Sequence, residues 1–314
     1  MTPLVTVGVV CYNAEEFILE SLNSVYYQTY SNIELIVSDD NSTDDTVRIV
    51  NEWFQSHKER FVRFKVLTVE KNTGTSGNGN RAIQEARGEW YKSLDGDDIL
   101  AETAIADYVD FVKQHENVHY VFGRTANFLG SYSKEKLNYH EPAFYPKLYS
   151  EETTAKEQFD VLIKHFAASG TSGFYRLNTL KKLGCYDERF PLMEDHPLLI
   201  KMTKNGYKLW LLDKITLYYR ISPKSITNSK NSIEPYLSNS DVRQVVEYKY
   251  EYFYENYNLF WKCCLLYTMT LKKLIIKFGN SKNIFLCVVL YNILRITNPY
   301  SWNYKYLLTF KYKR

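Results

Sequence analysis

Apolar and polar residues alternate along the first part of the chain in blocks that predict strands followed by helices. Residues 5–11 form an apolar, β-branched run, and the apolar positions of residues 17–26 recur at helical spacing behind Asn13 and Glu16, which stand at capping-box spacing. The unit repeats, and we predict further strands at 34–38, 62–69, 89–94 and 118–123 and further helices at 47–54, 77–87 and 99–115. Strands that alternate with helices in this way predict an α/β fold with a doubly wound, mostly parallel sheet and helices on both faces.

The pattern loosens after residue 126. Residues 127–151 predict a long irregular connection, a kind of segment that is often a mobile functional loop. Helices are predicted at 152–166 and 194–205, strands at 172–176, 208–212 and 216–221, and helices rich in aromatic residues and lysine beyond 228. We therefore predict a first domain at 1–230 and a helical C-terminal appendage at 231–314.

Charge separates these two regions. The chain has a net charge of +3, but residues 257–314 contain ten lysines or arginines and no acidic residue, whereas residues 1–256 contain 29 basic and 36 acidic side chains. The two regions therefore face different partners. The five cysteines include no CxxC pair, which predicts a reduced, cytosolic compartment and no zinc site.

An acidic motif follows the strand predicted at 89–94. Asp95-Gly96-Asp97-Asp98 places three carboxylates within four residues, where repulsion is costly unless a cation lies between them. Alternate residues of an extended segment point the same way, so Asp95 and Asp97 converge, and Mg²⁺ and Mn²⁺ prefer such oxygen ligands. Asp98 is then a third ligand, a partner behind the ligands or the cap of the next helix. A surface turn is the alternative, but the position after an apolar strand favours the cation site.

The first strand is not followed by a glycine-rich phosphate cradle. It continues as Val10-Cys11-Tyr12-Asn13, which lacks the GxGxxG of a dinucleotide-binding domain, and the chain contains no P-loop. If a nucleotide binds, other groups must hold it.

Six motifs occur in an order that resembles the family-2 glycosyltransferases of the GT-A fold. They are residues 5–13, 24–30 (SVYYQTY), 34–46 (ELIVSDDNSTDDT), 72–80 (NTGTSGNGN), 86–90 (ARGEW) and 94–98 (LDGDD), and downstream similarity extends to residue 227. The resemblance implies a Rossmann-like GT-A catalytic domain at 1–230, with a nucleotide-sugar-binding half at 1–125 and an acceptor half at 126–230. It also implies a nucleotide-sugar donor whose base lies near the first two strand ends.

The resemblance assigns donor contacts to residues that follow these strands. Tyr12 would stack on or border the base, and Asp40, with Asp39 beside it, would accept hydrogen bonds from the uracil N–H or the ribose. The alternative for Asp39 and Asp40 is a helix-capping turn. The glycine-containing motif adds three further donor residues: Asn72, Gly74 and Arg81.

The sequence departs from the family pattern in two places. Val10 and Cys11 stand where Pro and a small hydroxyl residue are common, and Gly79 stands where many members have arginine. Arg81 follows two residues later, so in our interpretation the arginine that contacts a phosphate or the base has moved.

The resemblance also implies separate roles for the residues of the acidic motif. Asp97 would bind the metal that bridges the diphosphate, and Asp95 would reach the ribose or the metal. The pair Asp97 and Asp98 is an alternative frame for the same site.

On the acceptor side, residues 190–207 resemble a Glu-Asp motif that opens a helix. Asp195 would be the catalytic base that takes the proton of the attacking hydroxyl, and Glu194 is the second candidate for that role. A plain helix cap is the alternative for Asp195. Residues 218–227 resemble the segment after the last strand of many members, where Arg220 and Lys224 would approach a phosphate; solvated basic side chains are the alternative.

The basic tail contains two strongly apolar segments, at 259–278 and 284–296. The longest charge-free run near the second, 283–294, is shorter than the roughly 18 residues of a spanning helix. We therefore predict interfacial helices on an anionic membrane surface, with these basic residues at the headgroups: Lys272, Lys273, Lys277, Lys282 and Arg295. The alternative is an appendage on the catalytic domain or in a dimer interface. No nucleic-acid recognition motif is present.

These observations predict an inverting hexosyltransferase that depends on Mn²⁺ or Mg²⁺. It would move a sugar from a nucleotide diphosphate, UDP in our interpretation, to a hydroxyl of a glycan or lipid-linked glycan. The family implies synthesis of a surface polysaccharide, such as capsule or O-antigen, by a cytoplasmic protein that is peripheral on the inner face of the membrane. Two alternatives stay open: a catalytically silent nucleotide-sugar binder or scaffold, and a sugar nucleotidyltransferase. The oligomeric state also stays open.

Overall fold

The structure of the chain, a computed structural model, consists of two compact units. It describes residues 2–133, 135, 137–139, 145–165, 170–190, 194–221, 255, 257–280 and 283–307. The first unit is Met1–Leu162 with Phe166–Arg220, and the second is Ile163–His165 with Ile221–Arg314. The sheet belongs to the first unit and the C-terminal helices to the second.

One nine-stranded mixed sheet forms the centre of the first unit. Its strands are β1 (Val5–Cys11), β2 (Ile33–Asp39), β3 (Arg63–Leu67), β4 (Trp90–Asp95), β5 (Ile99–Leu100), β6 (Tyr120–Leu129), β7 (Asn138–Tyr139), β8 (Gly173–Arg176) and β9 (Trp210–Ile221). Their order is β3-β2-β1-β4-β8-β6-β9-β5, with β7 paired to β6. The strands β3, β2, β1 and β4 are parallel, whereas β8 runs antiparallel to both β4 and β6. The predicted α/β sheet is confirmed, with its parallel strands at one side.

Helices connect the parallel strands. The helices of the first unit are α1 (Ile18–Tyr26), α2 (Thr46–His57), α3 (Gly74–Glu85), α4 (Ala104–Gln114), α5 (Tyr145–Leu148), α6 (Ala155–Leu162), α7 (Leu177–Lys182) and α8 (Asp195–Lys204). The inner strands are covered on both faces, so that every residue of β2 is buried and the apolar side chains Val5, Val7 and Val9 of β1 are inaccessible. Burial on both faces explains why these strands read as continuous apolar runs in the sequence.

Three predictions differ from the structure in the type or number of their elements. The helix predicted at 99–115 is a short strand, β5, followed by α4, because Ile99 and Leu100 pair with Tyr218 and Leu217 of β9. The strands predicted at 208–212 and 216–221 are one strand, β9. The connection predicted at 127–151 is partly regular, since it contains the end of β6, β7 and α5. In each case pairing with a distant strand or local packing overrides the local pattern.

The second unit contains three helices among its described residues: α9 (Leu259–Asn280), α10 (Ile284–Thr297) and α11 (Pro299–Tyr306). Leu271 and Ile275 of α9 pack with Leu294 of α10 in a small apolar cluster. Asparagine side chains cap the last two helices: Asn283 accepts the N–H of Leu286 at 3.3 Å, and Asn298 accepts the N–H of Tyr300 at 3.0 Å. None of the described helices combines the length and the apolarity that a membrane crossing requires.

Candidate active site

Three neighbouring strands end side by side and bring predicted site residues to one edge of the sheet. Cys11 at the end of β1 pairs with Asp39 at the end of β2, and Val10 pairs with Asp95 at the end of β4. Asp39 and Asp95 therefore lie on either side of β1. The carboxyl ends of parallel strands are the usual ligand-binding edge of an α/β sheet.

Tyr12 lies just beyond β1, and about half of it, 51%, is exposed. The next residue, Asn13, has a positive φ of 48°, donates its N–H to Ser42 Oγ at 2.8 Å and accepts the N–H of Thr43 at 2.8 Å. Asn13 thus joins the loops after β1 and β2, so the capping box predicted with Glu16 is wrong. An exposed ring held at a strand end suits stacking on a flat base.

The Asp40 carboxylate is buried and surrounded by donors from the start of α3. Its Oδ2 accepts the N–H groups of Thr73 at 2.9 Å and Gly74 at 2.8 Å, and its Oδ1 accepts Thr73 Oγ1 at 2.8 Å and Arg81 Nη2 at 2.7 Å. A carboxylate has about four acceptor positions, so these donors occupy it. They also explain why α3 begins at Gly74 rather than at the predicted residue 77, since the first N–H groups of a helix need partners.

These contacts give Asp40 a structural role, its predicted donor contact stays a prediction, and two other predicted residues lie beside it. Asn72 donates its Nδ2 to the Asp40 carbonyl at 3.0 Å and accepts the N–H of Gly74 at 3.1 Å. Asp39 is buried too, and accepts the N–H of Ser42 at 2.8 Å. The turn-forming alternative describes both aspartates, because each organises backbone that follows a strand. A base contact by Asp39 stays a prediction.

The shifted arginine has a packing explanation. A Cβ atom at Gly79 would lie 2.7 Å from Cε2 of Tyr186, so a larger residue at position 79 would displace that ring. Arg81 instead reaches back along α3 and donates to Asp40 and to Asn78 Oδ1, the latter at 3.0 Å. Its contacts therefore support the loop around Asp40.

The acidic loop after β4 is held tightly against β1. Gly96 donates its N–H to the Val10 carbonyl at 2.8 Å, and a Cβ atom at Gly96 would lie 2.8 Å from Cys11 Cβ. Close approach to β1 therefore explains the glycine. Asp98 Oδ1 accepts the N–H of Arg220 at 2.9 Å, whereas its buried Oδ2 has no hydrogen-bond partner.

The three carboxyl groups of this loop all favour protonation. Burial raises the pKa of Asp95, and the charges of Asp97 and Glu194 raise it further. Burial also raises the pKa of Asp97, and it raises the pKa of Asp98 together with the charges of the other two. A carboxylate that is buried without enough donors gains most from a cation.

Lys92 is a residue that the sequence analysis missed. It is fully buried in β4, and its Nζ donates to the Thr171 carbonyl at 2.7 Å. Burial lowers the pKa of Lys92 to about 8, while the charges of Asp95 and Asp98 oppose that change. A lysine within an apolar strand is the sequence signal, because lysine is almost never fully buried unless paired.

Within the described ranges, no three His, Cys, Asp or Glu side chains converge as a complete metal cage. The chemistry of the acidic loop still fits Mg²⁺ or Mn²⁺, which use one or two protein carboxylates together with waters and substrate phosphates. The free Oδ2 of Asp98 and the raised pKa values show that the protein supplies too few donors and positive charges to favour the ionised carboxylates, which a cation would favour. Asp95, Asp97 and Asp98 are the residues of this loop that would hold such a cation.

Arg220 is enclosed behind the acidic loop. Its side chain is 1% exposed, and its guanidinium lies 4.3 Å from the ring centre of Phe17. It donates Nε to the Asp97 carbonyl at 2.7 Å and Nη2 to Glu20 at 3.0 Å, and Nη1 binds the Gly130 carbonyl. Arg220 therefore holds the acidic loop from the inside, and its predicted phosphate contact stays a prediction. Lys224, with which it was paired, lies outside the described residues.

The acceptor-side pair opens α8. Asp195 Oδ1 accepts the N–H of His196 at 2.7 Å, and Glu194 Oε2 accepts Thr75 Oγ1 at 2.7 Å. Burial and the charge of Glu194 raise the pKa of Asp195 to about 7. A Cβ atom at Gly170 would collide with the Asp195 side chain, which accounts for a glycine there. Residues 191–193 of the motif lie outside the described part of the chain.

The acidic loop and the acceptor-side pair face each other. The charges of Glu194 and Asp195 both raise the pKa of Asp95, so the three carboxyl groups are electrostatic neighbours. Thr75, which the sequence analysis did not single out, links α3 to this group through Glu194. A hydroxyl residue in the first turn after Gly74 is only a weak signal, because its partner is distant in sequence.

The sequence is similar to known glycosyltransferases. Residues 6–183 match the family model described as glycosyl transferase family 2. The chain is 26% identical over 226 residues to the uncharacterized glycosyltransferase MJ1057 of Methanocaldococcus jannaschii, a match that covers 70% of this chain and 71% of that protein. It is 25% identical over 231 residues to the Escherichia coli UDP-Glc:alpha-D-GlcNAc-diphosphoundecaprenol beta-1,3-glucosyltransferase WfaP, with 72% of this chain and 81% of WfaP covered.

A solved structure is also similar. S. aureus TarS 1–349 in complex with UDP-GlcNAc superposes with a TM-score of 0.60 at 18% identity, over 93% of this chain and 91% of that one. Such a likeness concerns the fold, and the predicted GT-A fold is confirmed.

Proposed function

We propose a specific reaction on the premise that this chain belongs to glycosyl transferase family 2, whose model matches more than half of it. The protein transfers a sugar from a UDP-sugar to a hydroxyl of a lipid-linked glycan, in the synthesis of a surface polysaccharide such as capsule or O-antigen. The name of WfaP, with its UDP-glucose donor and diphosphoundecaprenol acceptor, supports both substrate classes. The UDP-GlcNAc bound to TarS supports the donor class.

The observation that carries the proposal is the meeting of two acidic groups. Asp195 at the start of α8 lies close enough to Asp95 at the end of β4 for its charge to raise the pKa of Asp95. One group would meet the donor diphosphate and the other the acceptor hydroxyl. Their proximity is what a direct transfer between two substrates requires.

The proposed transfer inverts the anomeric configuration in one step. The acceptor oxygen forms a bond to the anomeric carbon while the bond from that carbon to the diphosphate oxygen breaks. Asp195 takes the proton of the attacking hydroxyl, and UDP leaves with the bonding electron pair. A pKa of about 7 suits Asp195 to this role at neutral pH, since a general base works best when its pKa lies near the operating pH.

A divalent cation, Mn²⁺ or Mg²⁺, completes the proposed donor site. Asp97 would hold it together with Asp95 or Asp98, and the uncompensated charge of this loop supports that assignment. When bound, the cation stabilises the negative charge on the departing diphosphate. Arg220 keeps the loop in place by binding the Asp97 carbonyl at 2.7 Å.

The test is calorimetric titration of free UDP and a panel of UDP-sugars into the protein with Mn²⁺ and with EDTA. Asp97→Ala should abolish the Mn²⁺-dependent binding. Asp213→Ala is the control, because that exposed carboxylate lies on β9 and pairs with Arg124, away from the acidic loop. Absence of nucleotide binding under all conditions would overturn the proposal. Donor binding without any release of UDP from the sugar would favour the silent binder instead.

The proposed site of action is the inner face of the cell membrane. A lipid-linked acceptor resides in the membrane, and the reduced cysteines favour the cytosolic side. The basic C-terminal region supports contact with an anionic membrane surface.

A further inference from the structure

The second unit exposes apolar side chains in rows along two helices. On α10 the row consists of Phe285, Val288, Val289, Ile293 and Ile296, which are 75%, 39%, 39%, 40% and 63% exposed. On α9 it consists of Leu259, Phe260, Leu266 and Tyr267, which are 77%, 64%, 41% and 40% exposed. Steps of three and four residues on α10, and of seven residues on α9, keep most members of each row on one helix face. We call these nine residues the apolar rows.

The helices use other faces to hold each other. Leu271 and Ile275 of α9 pack with Leu294 of α10, and Cys287 Sγ donates to the Ile275 carbonyl at 3.5 Å. On α10, Cys287 and Leu294 lie on the side opposite to most of the row. On α9, Tyr267 shares a hydrogen bond with Thr297 of α10 at 2.5 Å, but the residue is still 40% exposed. The contact between the two helices therefore leaves much of each apolar row exposed.

Rows of exposed apolar residues are costly in water and are typical of interaction surfaces. Charge indicates the partner. From Tyr257 onward the chain contains ten lysines or arginines and no acidic residue, and Lys273, Lys277 and Arg295 lie exposed on α9 and α10. A second copy of this surface would bring like charges together, whereas anionic lipid headgroups supply the opposite charge.

The shape of the elements fits the same partner. A helix with one apolar face and basic residues lies in the interface, with its apolar side at the acyl boundary. We propose that the apolar rows of α9 and α10 dock into the interface of an anionic lipid bilayer, with basic residues of both helices against the headgroups. This proposal rests on the proposed function in one respect: a lipid-linked acceptor would give membrane docking a purpose.

Vesicle co-sedimentation tests the proposal and needs neither donor nor acceptor. The probes are phosphatidylcholine vesicles with and without phosphatidylglycerol. The full chain should bind the anionic vesicles, and the double variant Phe285→Ser/Ile296→Ser should bind at least about tenfold more weakly, since each large side chain loses its burial in the interface. Val62→Ser is the matched control, because Val62 is 64% exposed in the first unit.

A charge variant separates the electrostatic contribution. Lys273→Gln/Lys277→Gln should weaken binding to anionic vesicles about tenfold and should reduce its salt dependence. Lys113→Gln, an exposed lysine at the end of α4, should leave binding unchanged. Equal binding by the apolar variant and the Val62→Ser control would overturn the proposal. So would a dimer that forms in solution without lipid and is lost in the Phe285→Ser/Ile296→Ser variant. Calorimetric UDP-sugar binding can succeed or fail independently of either result.

Discussion

Asp40 and Asp98 are two carboxylates with nearly the same burial and opposite surroundings. They are 2% and 1% exposed, yet Asp40 accepts four hydrogen bonds, whereas Asp98 accepts one and leaves Oδ2 without a partner. Protein donors therefore compensate the charge of an ionised Asp40, whereas they do not compensate the charge of an ionised Asp98. A buried polar group without partners costs free energy, so its persistence indicates a ligand or a catalytic role.

The largest expected effect is the loss of kcat when Asp195 is replaced. Asp195→Asn removes the proposed base and keeps its shape, so kcat should fall about a thousandfold while UDP-sugar binding changes little. Single-turnover transfer and calorimetry on the same preparations measure the two quantities. Asp213→Asn is the control, since it neutralises an exposed carboxylate. A loss of less than about tenfold would remove Asp195 from the role of base.

Replacing Asp40 or Asp98 by asparagine should change the stability of the protein differently. Asp40→Asn removes the charge that four donors surround, including Arg81, and should lower the free energy of unfolding by about 3 kcal/mol. Asp98→Asn keeps Oδ1 for the N–H of Arg220 and removes repulsion, so it should leave stability unchanged or raise it at neutral pH. Urea denaturation followed by tryptophan fluorescence measures both. Equal losses would show that burial alone, not hydrogen bonding, decides the cost.

The sequence predicted the parallel strands better than the rest of the sheet. Residues 5–11 are β1 as predicted, because a strand that is buried on both faces carries its own apolar signal. Ile99 and Leu100 were assigned to a helix, because their pairing with β9 joins residues more than a hundred positions apart. Local periodicity contains no information about such a partner.

The same limit applies to the site. Asp95, Asp97 and Asp195 could be proposed as site residues because each follows or opens a regular element in a recognisable motif. The contacts of Asp40 and Arg220 could not be predicted, since a sequence does not reveal that four donors surround one or that aromatic rings and carbonyls enclose the other. Which charges are satisfied is a property of the packed structure.

The buried carboxyl groups of Asp95 and Asp195 should also make the metal-free protein more stable as pH falls from about 8 to about 7. The pKa of Asp195 and that of Asp95 are raised by burial, so the folded state takes up protons there that the unfolded state does not. Stability therefore rises by at most about 1.4 kcal/mol per pH unit for each proton taken up. Burial lowers the pKa values of Lys92, His119 and His165, so at these groups the unfolded state binds more protons than the folded state. Stability therefore falls as pH falls where they titrate, which is above this window for Lys92 and below it for the two histidines.

Thermal unfolding in EDTA at several pH values measures this dependence. Asp98→Asn should reduce the slope, because one of the interacting carboxyl groups no longer titrates. Mn²⁺ should reverse the trend if it binds the deprotonated loop, since its affinity then grows with pH. Stability that rises with pH in EDTA would contradict the uncompensated charge.

The smallest expected effect tests how the two acidic groups influence each other. Glu194→Gln removes the neighbouring charge that helps to raise the pKa of Asp195, so the acid limb of the kcat/KM profile should move to lower pH, by up to about one unit. The direction follows because loss of a like charge favours the ionised base. Thr75→Val keeps the charge of Glu194 and removes only its hydrogen bond at 2.7 Å, so the limb should move less while kcat falls a few-fold. Loss of nearly all activity in Glu194→Gln, with Asp195→Asn still active, would mean that Glu194 is the base.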